Sequence, residues 1–283
     1  MAFGYQILGF GSGVSAAAAF SLNYLVVAGG GGSGDPSDGN SKGGGGGAGG
    51  YRASGFGPCA LQGCTITCVE AGTYAIVVGG GGPSSGCINV GCGNDSSFAV
   101  PSPIQIVSAG GGHGGAHRSA HQAGGSGGGG APGVSPNSGA AGNTPPTCPP
   151  QGNPGGSSNG ESPPIPQRAA GGGGGAVGNG SRPEGGAGAP NAISGSAVTY
   201  AAGGGGTPGA PCAAGSANTG DGGNGKQSPN IGGFAGGSGV VIIRLPACAT
   251  VAVSPGCNST GDAPDCASYK IATFTVSGCL TLS

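Results

Sequence analysis

The sequence predicts a mainly β and irregular fold. Short β-strands feed a polyglycine II-like bundle of glycine rods, with disulfide-stapled loops and a C-terminal β-hairpin. Three observations lead there. Glycine occurs 75 times and proline 23 times in 283 residues. Short runs of β-branched and aromatic residues end directly in glycine, as in LVVAGGGG, IVVGGGG and TYAAGGGG. Eleven cysteines gather around short loops.

The composition also excludes. Ordinary globular chains carry about 7% glycine and about 25% charged residues. Here charged residues are 6%, aromatic residues 5%, and tryptophan is absent. That is too little bulk for a conventional enzyme core, and no paired carboxylates or nucleophile elbow stand out, so neither catalysis nor a cofactor is expected. No strict Gly-X-Y period exists, which excludes collagen. Lys and Arg number 8 against 9 Asp and Glu, scattered singly. Without a basic stripe, nucleic acid is not an expected partner. The longest apolar runs, such as residues 25–28 and 240–243, are far too short to cross a bilayer, so membrane insertion is not expected. The opening MAFGYQILGFGSGVSAAAAF lacks a positive start and is broken by glycine, so it does not read as a signal peptide.

Strand candidates follow from β-branched and aromatic runs bounded by turn residues. They are residues 23–28 (NYLVVA), 65–69, 73–78, 97–100, 104–109, 196–201, 239–245 (GVVIIRL), 270–276 (KIATFTV) and 279–282. The Ser-Gly link in KIATFTV-SG-CLTL predicts a hairpin. Three regions result: an N-terminal assembly segment 1–22, a glycine-rich β/polyglycine domain 23–245, and a Cys-rich segment 246–283 carrying the hairpin.

Glycine blocks recur at 29–32, 43–50, 79–82, 110–115, 124–130, 171–175, 203–206 and 232–239. Glycine loses the most backbone freedom on folding. Solvated glycine cannot recover that loss, but packed three-residue-per-turn helices can, because their unpaired N–H and C=O groups bond to neighbouring rods. The blocks therefore read as rods with other residues looping at their ends. Residues 131–169, rich in Pro, Ser and Asn, read as a long exposed loop.

Cys59, Cys64, Cys68, Cys87, Cys92, Cys248, Cys257 and Cys266 are the candidates for disulfides closing small loops. The alternative is reduced cysteine acting as a small apolar filler. His113, His117 and His121 are all the histidines of the chain, at four-residue spacing. On a helix they would share a face able to hold a metal ion, but Gly114 and Gly115 disfavour a helix. The alternative is a solvated or subunit-contacting surface. Tyr51 and Phe56 are either packing anchors or stacking platforms. Together with Arg52, Arg118 and Arg168 they form the candidate receptor-contact set.

The pieces NYLVVAGGGGSG (23–34), GGGGGAGGYRA (43–53), GTYAIVVGGGG (72–82), SSFAVPSPIQIVSAGGGHGG (96–115), ISGSAVTYAAGGGG (193–206) and GGSGVVIIRL (236–245) occur in the order of a known family. The chain resembles the glycine-rich domain family of phage and marine-viral structural and tail-fibre-like proteins, and is similar in principle to polyglycine II-type adhesins. The resemblance implies a non-enzymatic virion structural protein: a tail fibre, fibre tip or capsid-surface fibre that contributes to host attachment. The implied location is virion or extracellular. The implied partners are further copies of the chain or other virion proteins, with a host-surface polysaccharide or protein as receptor. The alternative is a self-assembling extracellular filament subunit joined by exchange of the C-terminal hairpin.

Overall fold

The computed structural model describes residues 19–35, 42–83, 91–99, 105–116, 120–133, 138–160, 167–211, 213–226 and 232–283. The assembly segment expected at 1–22 lies outside them, except for residues 19–22.

Among the described residues, strands make up the regular structure, with one 3-10 turn at Cys59–Leu61. The first sheet runs in the order β11 (Ser259–Asp262), β12 (Tyr269–Phe274), β9 (Val240–Pro246), β1 (Phe20–Val27) and β2 (Tyr51–Ala53). The start of β1 also pairs with β3 (Ile66–Val69). The second sheet runs β10 (Val251–Ser254), β13 (Gly278–Leu282), β4 (Gly72–Val77), β5 (Ser96–Ala99) and β6 (Gln105–Ser108). A third, two-stranded sheet joins β7 (Ala189–Asn191) to β8 (Val198–Tyr200). Every strand pairing is antiparallel.

The period-2 alternation of strand side chains sorts them into two cores. Tyr24, Val26, Val241, Ile243 and Phe274 of the first sheet meet Tyr74, Ile76, Phe98, Leu280 and Leu282 of the second. The intervening residues Leu25, Val27, Val240, Ile242 and Ile271 point to the opposite face. There they pack on Tyr51, Ile193, Tyr200 and Ala48. Strands β1 and β9 are thus buried on both faces, which explains their nearly unbroken apolar runs.

The strands continue into rods. Residues 43–50 form the central rod, and their hydrogen bonds repeat every third residue. The N–H groups of Gly43, Gly46 and Gly49 donate to the carbonyls of Lys226, Gly223 and Gly220 at 3.3, 2.8 and 2.9 Å. Those of Gly44, Gly47 and Gly50 donate to Gly115, Gly112 and Ala109 at 2.8, 2.8 and 2.7 Å. Those of Gly45 and Ala48 donate to Gly171 and Gly174, both at 3.0 Å. Descending partner numbers mark the first two neighbours as antiparallel, and ascending numbers mark the third as parallel.

The carbonyls of the central rod use the remaining directions. Gly44, Gly47 and Gly50 accept from Gly34, Gly31 and Ala28; Gly45 and Ala48 accept from Gly129 and Ser126; Gly46 accepts from Gly204. The ring of six neighbours is closed by its own bonds: Gly111 N–H to Gly29, Gly112 to Ser126, Gly174 to Gly127, Gly173 to Gly204, Gly222 to Ala202 and Gly223 to Gly31. This is hexagonal polyglycine II packing, read directly from the three-residue period. A Cβ added at Gly44, Gly45, Gly46 or Gly47 would lie closer than 3.0 Å to backbone oxygen. Position 48 alone carries a methyl group, and Ala48 opens onto the apolar core at the strand end of the rod.

Where a rod lacks a neighbour, a polar side chain substitutes. Gln151 Oε1 accepts Ala109 N–H at 2.8 Å, Asp95 Oδ1 accepts Gly110 N–H at 2.8 Å, Asp221 Oδ1 accepts Ala202 N–H at 2.9 Å, and Asn224 Oδ1 accepts Gly205 N–H at 2.7 Å. These caps satisfy donors that burial would otherwise leave unpaired.

Three expectations are corrected. The C-terminal strands do not form a hairpin with each other. β12 lies between β9 and β11, whereas β13 lies between β4 and β10 in the other sheet. The Ser-Gly link crosses from sheet to sheet, with Asn258 Oδ1 accepting the N–H groups of Thr275 and Val276. Residues 131–169 are not one exposed loop. Residues 138–144 and 151–156 pack beside the rod at 124–130, through bonds such as Ala140 N–H to Gly128 and Gly127 N–H to Asn153. Among the described residues the cysteine staples are absent as well. Cys59, Cys64, Cys68, Cys92, Cys248, Cys257 and Cys266 are unpaired thiols, as are Cys148 and Cys279, and Cys87 lies outside the described residues. The rod lattice supplies the order that disulfides were expected to supply. The melting temperature is therefore expected to be the same with and without reductant. A drop of many degrees, matching the roughly 2–4 kcal/mol of one disulfide, would contradict this.

Candidate functional site

The chain presents side chains at two opposite ends, where the strands finish and where the rods finish, and the sequence-predicted residues divide between them. Tyr51, Arg52 and Phe56 lie at the strand end. Tyr51 is 1% exposed, and its hydroxyl accepts a hydrogen bond from Asn191 Nδ2 at 2.7 Å. It is a packing anchor with no surface to offer a receptor. Arg52 is half-buried, with Nη1 3.4 Å from the Val107 carbonyl on β6. Phe56 is 39% exposed.

The rod-end candidates are His113, His121 and Arg168; His117 and Arg118 lie outside the described residues. His113 and His121 come together, with Gln122 N–H bonded to the His113 carbonyl at 3.1 Å. Cys92 joins them, its thiol 3.3 Å from Gln122 Oε1. Burial lowers the pKa of His121, and neighbouring His113 lowers it further. Burial raises that of the Cys92 thiol. Among the described residues, no three His, Cys, Asp or Glu side chains are grouped to hold a metal ion. Arg168 is half-buried in a turn that Asn159 brackets through bonds to the Gln167 carbonyl and Ala169 N–H.

A histidine with a lowered folded pKa is held neutral, and the unfolded chain takes up the proton first. Its contribution to stability is complete above the unfolded value near pH 6.5 and is lost as pH falls through it. Melting temperatures from pH 8 to pH 5 are expected to decline below about pH 6.5, with a flatter profile for His121→Gln. A profile unchanged by that substitution would contradict the assignment.

The strand end holds a group that the candidate set did not include. Arg244 ends the row Val240, Ile242, Arg244 along one face of β9. It is only 3% exposed. Its guanidinium lies over the Phe56 ring, 4.8 Å from the centroid, and over the Tyr269 ring, at 5.0 Å; these two residues are 39% and 37% exposed. Nη1 donates to Asp265 Oδ1 at 2.9 Å and lies 3.4 Å from the Ile193 carbonyl, whereas buried Nε has no partner. The bond from Arg244 holds the Asp265 carboxyl below its ordinary pKa. The signal available in the sequence was a single arginine inside the apolar run VVIIRL. Burying a lone cation is costly unless it is paired, so such a residue calls for partners.

A cleft of about 470 Å3 opens beside the rod at 203–206, lined by Pro183, Glu184, Gly205, Ala210, Pro211 and Asn224 among others. Its walls are mostly backbone, with Glu184 as the ionisable side chain. No described helix is long and apolar enough to cross a membrane.

Comparison with known proteins adds one result. A family described as a glycine-rich domain matches residues 14–246. This chain belongs to that glycine-rich domain family. The match takes in β1 to β9 and every rod described above, so the hexagonal bundle lies wholly within the family's domain. It stops at the end of β9, and the four strands that follow complete both large sheets from outside the matched region. No curated protein and no solved structure matches.

Proposed function

We propose that this member of the glycine-rich domain family is a non-enzymatic virion structural protein, a tail fibre, fibre tip or capsid-surface fibre component that contributes to host attachment. The closed ring of rods around residues 43–50 carries this reading. It is a scaffold whose interior is hydrogen-bonded backbone, and it leaves varied side chains to its periphery, among them those at its two ends. Binding residues are commonly placed on loops held by a rigid scaffold. The low charge favours a polysaccharide or protein receptor over a nucleic acid.

Antibodies raised against the purified chain test the proposal. They are expected to decorate purified particles from the source material, and added purified chain is expected to reduce particle adsorption to susceptible cells. Decoration of cell-derived filaments, with particles left bare, would overturn it.

A further inference from the structure

We infer that Phe56, Tyr269 and Asp265, organised around Arg244, form a binding subsite for a neutral pyranose sugar. The inference rests on the attachment reading above and names the chemistry of one receptor contact. The guanidinium lies over one face of each ring, at 4.8 and 5.0 Å from the centroids. Both residues are nevertheless 39% and 37% exposed, so the pair lies at the surface, within reach of a ligand. A pyranose offers an apolar face of C–H bonds that packs on an aromatic face, whose π-cloud is electronegative. It also offers a rim of hydroxyl donors. Asp265 is 39% exposed and commits only Oδ1 to Arg244. A carboxylate accepts through both oxygens, so the other oxygen can take a sugar hydroxyl. Arg244 keeps that carboxylate ionised and in place. Ionised Asp265 also repels a carboxylate-bearing sugar, which sets the preference for neutral ones.

The presentation of Phe56 argues against simple packing. Its φ is 59° and follows Gly55 at 66°, so a bulky aromatic sits in the left-handed region. Such residues are uncommon there, and strain of this kind gathers at functional positions. Three bonds hold the strained loop. Ala192 N–H donates to the Phe56 carbonyl at 2.9 Å, Gln62 Nε2 to the Gly57 carbonyl at 2.6 Å, and Asn191 Nδ2 to the Gly55 carbonyl at 3.4 Å. The backbone that carries the ring is fixed before any ligand arrives, which spares ordering entropy on binding.

The test is calorimetric titration of the full chain with maltohexaose, cellohexaose, mannohexaose and, as the anionic comparison, trigalacturonate. At least one neutral hexasaccharide is expected to bind saturably at up to about 10 mM, the range of a weak open site. Tyr269→Ala and Asp265→Asn are expected to weaken binding about tenfold or more. Tyr269→Phe, which keeps the stacking face, is expected to retain it. Phe56→Gly suits the positive φ, so its melting temperature is expected to hold while sugar binding falls. Three outcomes would each overturn the subsite: no neutral sugar binds the unaltered chain, trigalacturonate binds more tightly, or Phe56→Gly and Tyr269→Ala bind as well as the parent. These outcomes are separable from failure of the attachment reading. Sugar binding by a chain absent from particles removes the attachment role and leaves the subsite. Decorated particles with no sugar binding do the reverse.

Discussion

Gly46→Ala is expected to abolish folding. The added methyl would lie closer than 3.0 Å to the backbone of Gly31, and the rod that carries it is enclosed on every side by other rods. Overpacking an ordinary core costs roughly 1–3 kcal/mol because side chains can shift. Here only backbone can shift, and each shift stretches hydrogen bonds to several rods at once. A total stability of about 5–15 kcal/mol does not absorb many such losses. The measurement is circular dichroism with thermal melting of the purified variant. Ala48→Gly on the same rod is the comparison. It removes one methyl from the apolar core and is expected to cost only about 1 kcal/mol. Equal melting temperatures for Gly46→Ala and the parent would refute the close packing.

Among single substitutions, Phe274→Ala carries the next largest expected effect. The ring is fully buried between the sheets, in the cluster that includes Val241, Phe98 and Leu280. Truncating a buried phenylalanine costs about 3–5 kcal/mol, enough to lower the melting temperature by roughly 10 °C in a chain of this size. Ending the chain after residue 268 is expected to be worse. It removes β12 and β13, one strand from inside each large sheet. Such a chain should yield no folded monomer. A truncated chain that stays folded and loses only self-association would show that these strands serve a neighbouring copy instead of their own chain.

Much of this architecture was legible in the sequence. NYLVV, TYAIVV and GVVIIRL announce β1, β4 and β9 by their β-branched runs, and the glycine blocks at 29–32, 43–50, 110–115, 124–130, 171–175 and 203–206 are rods of the lattice. The unread parts share a physical cause. Glycine has no side chain to encode register, so nothing in GGGGGAGG shows that residues 43–50 occupy the centre of the lattice. Rods interrupted by polar residues were harder still. GDGGNG at 220–225 is a rod whose Asp221 and Asn224 cap neighbouring backbone, although those residue types usually signal turns. β7 contains Pro190, and β11 is exposed throughout, so neither shows an apolar pattern. The Ser-Gly link matched a hairpin signal but makes a crossing between sheets, because Asn258 and the partner strands decide the direction. Phe56 is among the surface candidates read from the sequence, but its association with Arg244 and Tyr269 depends on strand register that no local signal reveals.

The rod bundle also bears on how stability varies with temperature. Its interior removes peptide groups from water, with few apolar side chains. Exposing apolar surface raises the heat capacity of unfolding, whereas exposing polar surface lowers it. The rods and the sandwich core therefore contribute with opposite sign. The heat capacity increment per residue should fall below the roughly 12–15 cal/mol/K of ordinary globular chains. A smaller increment flattens the curve of free energy against temperature, so cold weakens this protein less than it weakens one held together by a hydrocarbon interior.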